Sequence, residues 1–157
     1  MTTLHLAAWF GSASIIEVLV KTGAKVNVED DDQKAPLHYA AWVNTSADVI
    51  RKLIKCGADV NACDYFQRTP LHRAAMHNHA VVPVLVEHGA KVNVLDSINR
   101  SPLFLAAYGS YSREVDRNAV IALCDACADP KLGVSPLGDD KNVGEEMKTL
   151  IRRHTTL

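Results

Sequence analysis

No apolar run in this sequence approaches the ~20 residues that a membrane-spanning helix needs. The longest, AVVPVLV at residues 80–86, is broken by Pro83. Charge of one sign is not in excess either: 17 Lys and Arg stand against 18 Asp and Glu, a formal net charge of -1. A nucleic-acid-binding surface usually declares itself by a basic excess or stripe. Neither a membrane nor a nucleic acid is therefore an expected partner. There is no phosphate loop, no nucleophile elbow and no isolated carboxylate pair. The stretch LHLAAWFGSA (residues 4–13) imitates a signal-peptide core, but no Lys or Arg precedes it. Cysteine is sparse: Cys56, Cys63, Cys124 and Cys127 are the whole complement. Without a secretory context they are expected as reduced thiols in the cytoplasm or nucleus.

What is present is repetition. Of the 157 residues 48% are hydrophobic, which suits one domain with a real core. Nearly the same phrase is written four times: TTLHLAA (2–8), KAPLHYAA (34–41), RTPLHRAA (68–75) and RSPLFLAA (100–107). Their leucines, Leu4, Leu37, Leu71 and Leu103, stand 33, 34 and 32 residues apart. A second phrase keeps the rhythm: TGAKVN (22–27), CGADVN (56–61) and HGAKVN (88–93), with ACADP (126–130) a degenerate fourth copy.

The phrases have a physical reading. Thr69 caps a helix whose first residue is Pro70, where a missing N–H costs nothing. Leu71, Ala74 and Ala75 then share one helix face. A second helix repeats that spacing with Ile16, Leu19 and Val20, with Ile50, Leu53 and Ile54, and with Val82, Leu85 and Val86. Gly23, Gly57 and Gly89 follow where a left-handed cap is expected. Cys127 takes that place in the fourth copy and should strain or reshape the helix end. Val26, Val60 and Val92 return the chain to the core.

A period of about 33 with these two phrases in register resembles the ankyrin repeat. The resemblance implies an all-α solenoid of stacked helix-turn-helix units with β-hairpin loops, over a single domain 1–157. Its repeats would span about 1–33, 34–67, 68–99 and 100–133, with a partial capping repeat at 134–157. Repeat two carries one extra residue near 44–47, repeat three lacks one around 79–81, and repeat four inserts about five within 110–117. KLGVSPLGDD (131–140) should shorten the last hairpin, with Asp139 and Asp140 in place of the alanine pair, and GEEMKTLIRRH (144–154) should close the stack as a polar helix. The chain starts directly at a helix-one phrase, so the first apolar face is expected to be covered by a partner or by more solenoid.

The resemblance also assigns roles. His5, His38 and His72 would pin the stack by hydrogen bonding to backbone, and Phe104 replaces the fourth histidine without disturbing its phrase. The chain is expected to be a non-catalytic protein-protein interaction module without cofactor or metal, binding a protein or peptide through a concave groove. The positions after the alanine pairs are Trp9, Phe10, Trp42, Val43, Met76, His77 and Tyr108. The hairpin tips add Asp31 and Asp32, Tyr65 and Phe66, and Ser97 and Ile98. Lys34, Arg68 and Arg100 form a short basic line, or pair with Asp30, Asp64 and Asp96. Alternatively the chain is an ankyrin segment of a larger adaptor, ubiquitin-ligase subunit or channel. A metal-binding or enzymatic domain is the distant alternative: Cys124 and Cys127 have CxxC spacing, and His77 and His79 lie near His72 and His88. A zinc site needs about four ligands, and no second cysteine pair follows. Two modification signals are weaker. Leu53, Asp59, Val60 and Asn61 match the setting of asparaginyl hydroxylation in ankyrin repeats, and the final Thr155, Thr156 and Leu157 resemble a PDZ ligand.

Overall fold

Each Leu-x-x-Ala-Ala phrase begins a short helix, and a second helix returns beside it. In the computed structural model the pairs are α1 (Thr3–Trp9) with α2 (Ala13–Lys21), and α3 (Pro36–Trp42) with α4 (Ala47–Lys55). They continue as α5 (Pro70–His77) with α6 (Val82–Glu87), and α7 (Pro102–Tyr108) with α8 (Arg117–Asp125). The structure describes residues 1–43, 46–108, 117–132, 148–149 and 151–153, with only the backbone of Tyr108. Residues 110–116 of the fourth-repeat insertion, the closing hairpin after residue 132 and the terminal Thr155, Thr156 and Leu157 lie outside them, as do residues 44–45 of the extra stretch at 44–47. Of the expected closing helix, residues 148–149 and 151–153 are described, and they are helical.

Helices this short do not persist alone in water; packing holds them. The first helices α1, α3, α5 and α7 lie side by side in one row, and α2, α4, α6 and α8 form a second row behind them. Leu4, Leu37, Leu71 and Leu103 are buried between the rows with Ile16, Ile50, Leu53, Leu85 and Leu123. The alanine pairs Ala40–Ala41, Ala74–Ala75 and Ala106–Ala107 are buried too, which lets neighbouring helices approach closely. Pro36, Pro70 and Pro102 each stand at the first helical residue.

Helix ends follow the glycines. Gly23, Gly57 and Gly89 have φ of 97°, 93° and 86°, values that cost glycine little. Gly57 N donates to Ile54 O and Ala58 N to Leu53 O, at 2.9 and 3.0 Å. Cys127 keeps the same form: its φ is 61°, and Cys127 N and Ala128 N donate to Cys124 O and Leu123 O. The helix end is therefore not reshaped; an L-residue is held in a region it disfavours. The missing residue in the third pair has a local outcome. A single 3-10 turn, His79–Val81, leads into α6, which is shorter than α2, α4 and α8.

The connections after each pair close by hydrogen bonds, and no strand occurs among the described residues. Asp30 N, Asp64 N and Asp96 N donate to the carbonyls of Lys34, Arg68 and Arg100 at 3.0–3.1 Å. Each aspartate also accepts two backbone amides on its Oδ1, for example Phe66 N and Arg68 N on Asp64, both at 2.9 Å. Gln33, Gln67 and Asn99 sit at φ of 57–60° just before the next unit. Turns also meet one another, with Tyr65 N donating to Asp32 O and Ser97 N to Phe66 O.

Candidate protein-binding face

The motif histidines are fully buried and identically wired. Backbone amides of Thr2, Ala35 and Thr69 donate to Nδ1 of His5, His38 and His72 at 3.0, 3.0 and 3.1 Å. Nδ1 is therefore the unprotonated nitrogen. Nε2–H donates across to the next unit, to the carbonyls of Lys34, Arg68 and Arg100 at 2.8, 3.0 and 3.2 Å. Both nitrogens are occupied, so no ring nitrogen is left for a metal or a substrate. Burial holds the His38 imidazole below its ordinary pKa and takes His72 down to about 4.

A second ladder comes from the valine-asparagine phrases. Asn27 donates to Gly57 O (2.9 Å) and accepts from Asp59 N (2.9 Å). Asn61 does the same with Gly89 O and Lys91 N at 3.1 and 2.8 Å, and Asn93 with Cys127 O and Asp129 N at 3.0 and 2.8 Å. Asn61, singled out as a modification candidate, is thus one rung of a structural series. Its recurrence in three phrases was the signal for that role.

With these residues committed to the stack, the surface beyond the alanine pairs remains. Trp9 and Trp42 meet edge to face at 5.8 Å between ring centroids, and Trp42 continues to His77 at 5.6 Å. Burial holds His77 below its ordinary pKa, helped by the nearby Arg73 charge. Trp9 and Phe10 are exposed, whereas Trp42, Val43, Met76 and His77 are half-buried. Trp42 is accordingly part of the packing as well as of the surface. The side chain of Tyr108 lies outside the described residues. At the turns, Tyr65 and Phe66 are exposed and touch edge to face at 5.4 Å. Arg68 lies 5.4 Å over the Phe66 ring.

Two residues that the sequence did not single out organise the ridge. Tyr39 and Arg73 each follow a motif histidine, on α3 and α5. The Tyr39 hydroxyl donates to Asp30, and the Arg73 guanidinium to Asp64. Tyr39 packs on His5 and Trp9 at 5.4 and 5.6 Å, and Arg73 lies 4.9 Å over the Trp42 ring. Burial, then the Asp30 hydrogen bond, pushes the Tyr39 phenol up to about 12. Burial alone would raise Asp30, but hydrogen bonds from Tyr39 and from the Lys34 and Asp32 amides outweigh it and hold the carboxyl below its ordinary value.

The basic line is neutralised: Arg100 takes Asp96, as expected, while Lys34 and Arg68 take other partners than Asp30 and Asp64. Lys34 pairs with Asp32 at 2.5 Å and lies 5.7 Å over Trp42. Arg68 and Arg100 both reach Asp96, at 3.2 and 2.8 Å. The physical reason is that Asp30 and Asp64 already serve Tyr39 and Arg73. Asp96 is free to take both arginines because Leu105 occupies the corresponding position in α7.

The His and Cys clusters do not converge. His79 bonds Ala75 O and His88 bonds Val84 O. Cys124 is buried, which pushes its thiol up to about 11, while Cys127 is exposed; all four cysteines are unpaired. Among the described residues no three His, Cys, Asp or Glu side chains are grouped to hold a metal ion.

A family model described as ankyrin repeats (three copies) matches residues 1–64 and again residues 37–133. The chain belongs to the ankyrin repeat family. No curated protein sequence matches it closely enough to serve as a relative. Ankyrin repeats are in general protein–protein interaction modules and generally non-catalytic. In this ankyrin chain no helix of the described residues is long and apolar enough to cross a membrane.

Proposed function

We propose that this ankyrin chain is a non-catalytic module holding a protein or peptide against its first-helix row, with Trp9, Phe10, Trp42, Val43, Met76, His77 and Tyr108 facing the ligand. The observation that carries this reading is the unbroken aromatic line from Trp9 through Trp42 to His77. Aromatic side chains are the ones that most often dominate binding energy, and the histidine and asparagine ladders hold the stack at other positions than these. Tyr65 and Phe66 at the turn extend the contact. Because Arg68 and Arg100 are already paired with Asp96, they act at the rim, on association rate and salt dependence. The four unpaired thiols support a reducing compartment, cytoplasm or nucleus. The exposed apolar face of α1 and α2 supports membership of a larger protein or complex.

The test is affinity capture with the wild type and with a Trp9→Ala/Tyr65→Ala double variant, read by mass spectrometry beside a melting curve for each. Both residues are on the surface, so the fold should persist. Partners lost at an unchanged melting temperature support the reading. Partners retained by the double variant overturn it.

A further inference from the structure

Beyond α2, the large apolar side chains exposed among the described residues are Tyr65, Phe66 and Ile98, at 66%, 44% and 59%. All three stand at the tips of two consecutive turns. The turns start at the equivalent aspartates Asp30, Asp64 and Asp96, and the next two residues are Asp31 and Asp32, Tyr65 and Phe66, and Ser97 and Ile98. Backbone hydrogen bonds join the tips into one strip: Tyr65 N donates to Asp32 O at 3.0 Å and Ser97 N to Phe66 O at 2.9 Å. Each turn closes on its own aspartate, and the first does so with polar tip residues. The fold therefore does not require apolar tips. Joined apolar side chains left in water mark an interaction surface, whereas scattered ones do not.

Charge divides this strip. Within residues 29–34 four carboxylates, Glu29, Asp30, Asp31 and Asp32, stand against the single cation Lys34. Lys34 is the inner member of its pair with Asp32, the side chains being 10% and 61% exposed. It lies over the Tyr39 and Trp42 rings. Glu29 and Asp31 are exposed and have no ion pair or hydrogen bond among the described residues. Solvent thus meets negative charge at the first turn. At the other two turns, residues 65–67 and 97–99 carry no charge. Behind them three guanidiniums, of Arg68, Arg73 and Arg100, share two carboxylates, Asp64 and Asp96. That end is apolar with a cation in surplus.

From this division we infer that the turn strip selects a peptide segment with Lys or Arg at one end and a large apolar side chain at the other. This specificity rests on the protein-binding reading of the same face. The ligand's basic end meets Glu29 and Asp31, and its apolar side chain packs on Tyr65, Phe66 and Ile98. Reversing the segment sets its cation beside the surplus guanidinium. An acidic segment is repelled at the first turn, and an uncharged one leaves Glu29 and Asp31 unused. Packed neighbouring helices stand about 10 Å apart, so the first and third tips are about 20 Å apart. The basic and apolar residues of the ligand are then about three to six extended residues apart.

The test pans phage-displayed random dodecapeptides against the full chain and measures the enriched peptides on variants. Lys or Arg should recur about three to six residues from a large apolar residue. Association with Glu29→Lys/Asp31→Lys should slow about tenfold or more, at an unchanged melting temperature. Glu29→Gln/Asp31→Asn should fall between that variant and the wild type. Enrichment without a basic excess, no enrichment at all, or equal binding to the lysine variant overturns the specificity. Peptides that tolerate the lysines but are lost from Trp9→Ala/Tyr65→Ala leave the aromatic face standing with a different ligand. Peptides retained by Trp9→Ala/Tyr65→Ala overturn both.

Discussion

The Nε2–H of His38 donates to the Arg68 carbonyl 3.0 Å away, while its Nδ1 accepts the Ala35 amide, so one neutral ring ties the α3–α4 pair to the start of the next. Protonation would place a second N–H against the Ala35 amide and strand a charge in the core. Both His38 and His72 have pKa values depressed by burial, His72 from 6.5 to about 4. Between those values the unfolded chain binds more protons than the folded one, so stability rises with pH. The stabilisation is complete above about 6.5 and is lost as pH falls toward about 4. Urea unfolding should show a loss on the order of 3 kcal/mol over that window. His72→Phe, which copies Phe104, should show a shallower slope. Asp30 and Asp96 act in a separate, lower window: their depressed carboxyls stabilise above 3.8, and that contribution disappears only below it.

Asn61→Ala should cost about 1–2 kcal/mol, since two inter-unit hydrogen bonds at a partly exposed site are removed. Asn61→Asp retains the acceptor for Lys91 N and loses the donor to Gly89 O, and should fall between wild type and alanine. Denaturant unfolding at pH 7 ranks the three.

Arg73→Leu should be more damaging, about 3–5 kcal/mol, because it leaves the buried Asp64 carboxylate without its cation. Adding Asp64→Asn should recover a large part. The amide keeps an acceptor for Phe66 N and Arg68 N without the charge. A double variant no more stable than Arg73→Leu would mean that stacking on Trp42, not the ion pair, carries the arginine's contribution.

Leu71→Ala should cost about 2–5 kcal/mol as a core truncation between the two helix rows. Thermal unfolding checks it, and Phe66→Ala at an exposed turn is the control that should change little.

The helices, their proline starts and their glycine stops were legible because each depends on residues within one unit. Leu71, Ala74 and Ala75 declare a buried face, and Gly57 declares a left-handed cap, without reference to a neighbour. Contacts between units were not legible. That Arg68 and Arg100 converge on Asp96 depends on Tyr39 and Arg73 having engaged the other two aspartates. Nothing in the local phrases encodes this. Gln33, Gln67 and Asn99 take the left-handed conformation without glycine because the aspartate at the start of each turn holds the backbone on both sides. Trp42 read as a free surface anchor; Arg73 and Lys34 stacked on its ring make it half structural. Of the site, the column of positions was visible in the repeat, and the degree of burial along it was not.

Site-specific photo-crosslinking asks whether ligands meet the first-helix row. A photo-reactive residue would be placed at Phe10 or Tyr65 on the proposed face, and at Arg51 or Lys55 on the second-helix row. All four are exposed or at the surface of their elements, so none should disturb the fold. Captured partners should crosslink from Phe10 and Tyr65 and not from Arg51 or Lys55. Crosslinks confined to Arg51 and Lys55 would contradict it.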